Sequence, residues 1–127
     1  MKCDEIETEI QAKRLTAPRI TPADIEANIT SEHYFTASAG VVASLPKGST
    51  DADLNAIPLA LGLLTFCVLV LRNGFTVTGE SACASPENFD AEIGRKIARE
   101  NAVNKIWPLM GYELRSKLSE KNATDPS

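Results

Sequence analysis

The chain has 127 residues, enough for one domain with a modest core, and its 43% apolar content is that of a globular protein rather than a disordered one. A formal net charge of -4 and a pI near 5.0 argue against a general polyanion binder, because duplex nucleic acid is held by many Lys and Arg neutralising phosphates together. A small anionic ligand stays open, since it needs only a local basic cluster. Cys3, Cys67 and Cys83 show no C-x-x-C spacing and leave an odd thiol, so reduced cysteines in a cytosolic protein are expected, with neither a disulfide framework nor a zinc site.

Residues 1-20 read as a polar N-terminal arm, with a short helix over Asp4 to Lys13 and a break at Ala17-Pro18. The opening "MKCDEIETEI" is charged and lacks the apolar core of a secretory signal. A single domain is expected over 21-118, followed by a disordered polar tail over 119-127. Thr21 as N-cap, Pro22 at the first helical position and Asp24 in the first turn predict a helix that ends near Ser31. "HYFTASAGVVAS" is rich in aromatic and β-branched residues and predicts a strand, bent at Gly40. Residues 45-58, dense in Pro, Gly, Ser, Asp and Asn, read as a long exposed loop; without aromatics it looks like a tolerated insertion rather than a binding element.

The most apolar stretch follows. From Ala56 to Leu71 the chain runs 16 residues without a charge, short of the roughly 20 that a membrane-spanning helix needs, and Pro58 and Gly62 interrupt it. Asn73-Gly74 and the alternating "FTVTGESA" come next, so the stretch is predicted to be one arm of a β-hairpin over about 63-83. A two-residue turn would set Val70 opposite Val77 and Val68 opposite Gly79, leaving Thr76, Thr78 and Glu80 on the face of Leu69 and Cys67. The first arm is apolar on both sides and needs two covers, one a helix and the other a further helix or a second subunit. A homo-oligomer is therefore expected.

"SPENFDAEIGRKIARENAVNKIW" predicts the main helix, over about 86-107, capped by Ser85, started by Pro86 and ended by Pro108. Phe89, Ile93, Ile97 and Ala98 form its apolar stripe, and Gly94, Ala98 and Ala102 recur every four residues as a ridge that permits close approach. Asn101 lies near that ridge and is expected to be buried and paired. "LMGYELRSKL" resumes as a short amphipathic helix or an extended segment. The fold class is thus α+β: a small antiparallel sheet built on the hairpin, packed by the main helix, with short flanking helices.

Chemistry-bearing patterns are sparse. His33 is the only histidine, which excludes sites with two His ligands, and no phosphate-binding glycine loop or nucleophile elbow occurs. No metal, cofactor or catalytic residue is expected, and the protein is not expected to be an enzyme. Glu80 beside threonines reads as a solvated strand residue. Lys96, with Glu92 and Glu100 four residues away on either side, reads as a salt-bridged solvent face. The sharper alternative makes Arg95 and Arg99 forked phosphate donors. Together with the amides of Asn73 and Asn88 and the hydroxyls of Thr76 and Thr78, they are the candidate ligand-binding set, suited to a ribose-phosphate ligand.

The segments "NGFTVTGESAC", "NF" and "GRKIARENAVNKIWPLMGY", within Leu63 to Leu118, resemble a family of small tailed-phage proteins named after the forty-ninth gene product of one short-tailed phage and gene sixty-six of another; "ITSEHYF" is similar too. The resemblance implies a phage or prophage accessory protein acting in the host cytoplasm, and it brings no activity and no catalytic residues. Two functions follow as expectations. One is binding of a small host molecule, such as a nucleotide signal of antiphage defence; the other is a protein-protein interaction module that modulates a host or phage complex. Neither involves duplex nucleic acid or a membrane.

Overall fold

The computed structural model describes residues 2-15 and 17-124. Its elements are, in order, α1 (Lys2–Ala12), α2 (Pro22–Ala27), β1 (Ile29–Thr36), α3 (Ala37–Ser44), α4 (Asp51–Asn55), β2 (Leu64–Leu71), β3 (Thr76–Ala82) and α5 (Ala91–Thr124), with 3-10 turns at Leu59–Leu63 and Pro86–Asn88. The strands form one antiparallel sheet in the order β1-β2-β3, with α5 laid across one face, so the α+β class holds. No helix among the described residues is long and apolar enough to cross a membrane.

Thr21 caps α2 as expected: its side chain accepts from the Asp24 backbone while the Asp24 carboxylate accepts from the Thr21 N–H. The helix ends at Ala27 rather than near Ser31, because Ile29, Thr30 and Ser31 join β1. There a register shift leaves Thr30 free to donate its hydroxyl to the Val70 carbonyl at 3.0 Å. The strand expected over 33-44 stops at Thr36, whose hydroxyl accepts from Ala39 N and starts α3. Here an N-cap overrode a β-branched composition. Likewise the loop at 45-58 contains α4, begun by a reciprocal capping box between Thr50 and Asp53.

The hairpin exists, but its register differs by one residue. Leu71 N donates to Phe75 O at 2.8 Å and Gly74 N to Leu71 O at 2.9 Å, so the loop has three residues, Arg72, Asn73 and Gly74. Gly74, at φ +87°, takes the left-handed position that this loop requires after its type I turn. Asn73 Oδ1 closes the loop from above by accepting from Phe75 N. The slip reverses every side chain of β3. Leu69 now pairs with Val77 and Cys67 with Gly79 on the helix side, while Thr76, Thr78 and Glu80 stand beside Val70, Val68 and Phe66 on the other.

The core lies between the sheet and α5. It comprises Cys67, Leu69, Leu71, Val77, Ala98, Ala102, Val103 and Ile106, closed at one end by Ile25 of α2. The small-residue ridge has a specific partner, Gly79. A Cβ there would come within 2.1 Å of Ala98 O and 2.3 Å of Ala102 N, so helix backbone rests on strand backbone. Asn101 is exposed rather than buried, yet it is paired: its Nδ2 donates to Glu80 O at 2.8 Å beside that contact. Ile93 and Ile97 are not part of the packed face; they are 54% and 44% exposed.

Two boundaries of the main helix also change. Asp90, not Ser85, caps it: Asp90 Oδ1 accepts from Ile93 N, and Pro86–Asn88 form a separate 3-10 turn. Pro108 sits inside the helix rather than ending it, and α5 runs on to Thr124, through much of the stretch expected to fray.

Candidate functional site

Arg99 leaves α5 toward β1, where three acidic or phenolic groups from two other elements wait for it. Its Nη1 and Nη2 donate to Glu26 Oε1 and Oε2 at 3.0 and 2.7 Å, and its Nε donates to Glu32 Oε2 at 3.0 Å. Tyr34 Oη completes the group by donating to Glu32 Oε1 at 3.1 Å. The hydrogen bonds it donates to Glu26 raise the Arg99 pKa further, and the guanidinium in turn holds the Glu26 carboxyl below its ordinary range. Burial, then the neighbouring Cys67 and Glu32, push Tyr34 up to about 12, and burial also raises the Cys67 thiol. Phenol and thiol therefore stay protonated near neutral pH. The cluster is a bracket that ties α2 and β1 to α5. With both forks engaged, Arg99 is not presented as a phosphate donor.

Glu26 and Glu32 escaped the sequence reading because they lie 73 and 67 positions from Arg99. Only local spacing could have flagged them, and there Arg99 looked like part of a solvated turn. That description does hold for Lys96, which pairs with Glu92 at 3.3 Å with both side chains exposed.

The remaining candidates divide between two places. Asn88 lies at the foot of α5, lining a cleft of about 280 Å³ with Thr65, Ser81, Asp90, Ile93 and Ile97. Arg95 lines a smaller recess of about 90 Å³ with Tyr34 and Thr36, and the two recesses share Thr65 and Phe89. Hydroxyls, an amide and a carboxylate face the larger cleft, and among the described residues no cation lines it. Among the described residues, no group of His, Cys, Asp and Glu is arranged to hold a metal ion.

Thr76 and Thr78 stand on the opposite side of the sheet, with Asn73 at the hairpin tip. On this side β2 presents Phe66, Val68 and Val70, none covered by α5. α3 shields one end: Gly40 lies against the Phe35 ring, which stacks on Phe66 with centroids 5.5 Å apart. Toward the hairpin, Val68 and Val70 lie between Ser31 and His33 of β1 and Thr76 and Thr78 of β3. His33 is exposed and engages Ser31 Oγ at 3.2 Å. The result is a short apolar stripe edged by hydroxyls and an imidazole.

Residues 20–118 match the model of the Phage protein (N4 Gp49/phage Sf6 gene 66) family. No curated protein and no solved structure matches the chain.

Proposed function

We propose that this chain, which belongs to the N4 Gp49/phage Sf6 gene 66 family of phage proteins, is a non-enzymatic accessory protein that works in the host cytoplasm by holding a protein partner on the open face of its sheet. One observation carries the reading: β2 is apolar on both faces, and α5 covers only the side of Cys67, Leu69 and Leu71. A half-buried apolar stripe rimmed by hydroxyls has the make-up of a docking surface, with a dry centre and a hydrogen-bonding margin.

The test is affinity capture from phage-infected host lysate with the tagged protein, its Val68→Asp variant and its Arg95→Ala variant. A stoichiometric partner held by the wild type and by Arg95→Ala, but lost with Val68→Asp, supports the reading. Retention by a folded Val68→Asp protein would refute it.

A second reading has its own support. Asn88 and Arg95 border recesses that share Thr65 and Phe89, which keeps a small host molecule in play at the foot of α5, including a nucleotide signal of antiphage defence. Because Arg99 is held by Glu26 and Glu32, Arg95 would be the cation nearest the phosphate. Thermal shifts with a panel of cyclic and linear nucleotides decide it: a shift that Arg95→Ala abolishes supports this reading, and no shift for any nucleotide retires it.

A further inference from the structure

Thr65 is the one polar side chain among the described residues that the fold buries; it is 4% exposed, on the α5 side of β2. Its hydroxyl makes no hydrogen bond to any described residue. It is not sealed, however: among the described residues, Trp107 Nε1 alone is a side-chain polar atom both unpaired and without accessible surface. Thr65 Oγ1 therefore opens into the cleft of about 280 Å³ at the foot of α5, which the same residue lines. Gly94 keeps that opening clear, since a Cβ there would stand 3.2 Å from the hydroxyl. Water satisfies such a group in the free protein, and a ligand that displaces the water has to return the hydrogen bond. An apolar occupant cannot.

The rest of the wall sets the charge and shape of the ligand. Asp90 presents a carboxylate whose Oδ1 accepts from Ile93 N while Oδ2 is unengaged, and no cation among the described residues lines the cleft, so an anion is repelled. That carboxylate caps the positive end of α5, which offsets its attraction for a cation. Asn88 adds an amide that both donates and accepts, and Phe89, Ile93 and Ile97 supply apolar flanks. We infer that the cleft binds a neutral ring bearing neighbouring hydroxyl groups, the sugar of an uncharged nucleoside or of a simple glycoside, with one hydroxyl bonded to Thr65 Oγ1 and another donating to Asp90. The inference rests on the small-molecule reading above and narrows it: the larger cleft selects the sugar, and a phosphate, where there is one, is left to the recess of Arg95.

The test follows the Ile93 and Ile97 methyl signals of the full ¹³C-labelled chain during titration with adenosine, 2′,3′-dideoxyadenosine and methyl β-D-ribofuranoside. Expected is a saturable displacement by adenosine, with an apparent affinity at least about tenfold weaker for the dideoxy compound, which lacks both hydroxyls. Thr65→Val, which keeps the shape of the side chain and removes its hydroxyl, should shrink that preference about fivefold, and Thr65→Ser should restore it. Saturation by the ribofuranoside as well assigns a free sugar, and saturation by adenosine without it assigns a nucleoside; both support the inference. Equal affinity for adenosine and its dideoxy form, a preference untouched in folded Thr65→Val, or no saturable displacement by any of the three would overturn it. Nucleotide binding that depends on Arg95 but shows no hydroxyl preference would leave the small-molecule reading standing and remove this inference alone, whereas silence from every probe and every nucleotide would end both.

Discussion

At Gly79 the packing tolerates nothing larger than hydrogen. The atoms a methyl group would meet, Ala98 O at 2.1 Å and Ala102 N at 2.3 Å, belong to the helix backbone and cannot rotate aside. Gly79→Ala must therefore lift α5 from the sheet, with a loss of about 3 kcal/mol expected in urea denaturation. A loss under about 1 kcal/mol would show that the helix does not sit as described. Arg99 makes a second residue-level case, in which pH is the variable. Glu26 has its pKa lowered by Arg99, so its contribution is present above the unfolded value of about 4.3 and is lost as pH falls through the lower folded value. Its side chain is 56% exposed, so solvent screening keeps that contribution to about 1 kcal/mol or less. Glu26→Gln should lower the melting temperature at pH 7 by a few degrees, with the gap shrinking as pH falls below the ordinary carboxylate range. A gap that does not shrink on acidification would mean that something other than the ion pair was removed.

Elements were legible where a local rule had no competitor. Thr21, Pro22 and Asp24 marked the start of α2 because capping is settled within four residues, and Asn73-Gly74 marked the hairpin because a positive φ needs glycine. The register was not legible: Asn-Gly serves a two-residue loop and a three-residue loop alike, and only the cross-strand pairing of Leu69 with Val77 separates them. That single ambiguity placed Thr76 and Thr78 on the wrong side of the sheet. In the candidate site, Asn88 and Arg95 were nominated by residue type alone, while the Glu26 and Glu32 partners of Arg99 depend on tertiary placement that no spacing encodes. Pro108 shows a rule overridden. It lacks the N–H that would bond to Asn104 O, yet both residues are exposed, so water can satisfy the carbonyl and the helix continues. Because Pro108 is exposed, Pro108→Ala should restore the bond and raise stability by about 1–3 kcal/mol, measurable by denaturant unfolding. A destabilised variant would reveal that the interruption positions the distal half of α5.

On the scale of the whole molecule, the imbalance is between one covered and one uncovered sheet face. Helix α5 has 34 residues, about 51 Å, against about 26 Å for the eight residues of β2, so most of its length beyond the sheet cannot help to cover it. The short helix α3 lies against Phe35 toward one end. Val68 and Val70 are left as the centre of a stripe that is the same on every copy, and two such stripes related by a two-fold axis are chemically self-matching. In the absence of another protein, the expected outcome is a concentration-dependent dimer, seen as a rise in mass by light scattering between about 10 and 500 μM, the range in which small interfaces associate. The attraction is apolar, so the dimer should persist or strengthen in 0.5 M sodium sulfate, whereas an assembly built on charge would weaken. Val68→Asp puts two carboxylates face to face across the axis and should return the mass to that of one chain at every concentration. A wild-type protein that stays monomeric throughout, or a Val68→Asp variant that still dimerises, would place any self-contact elsewhere, leaving the stripe to a different protein partner.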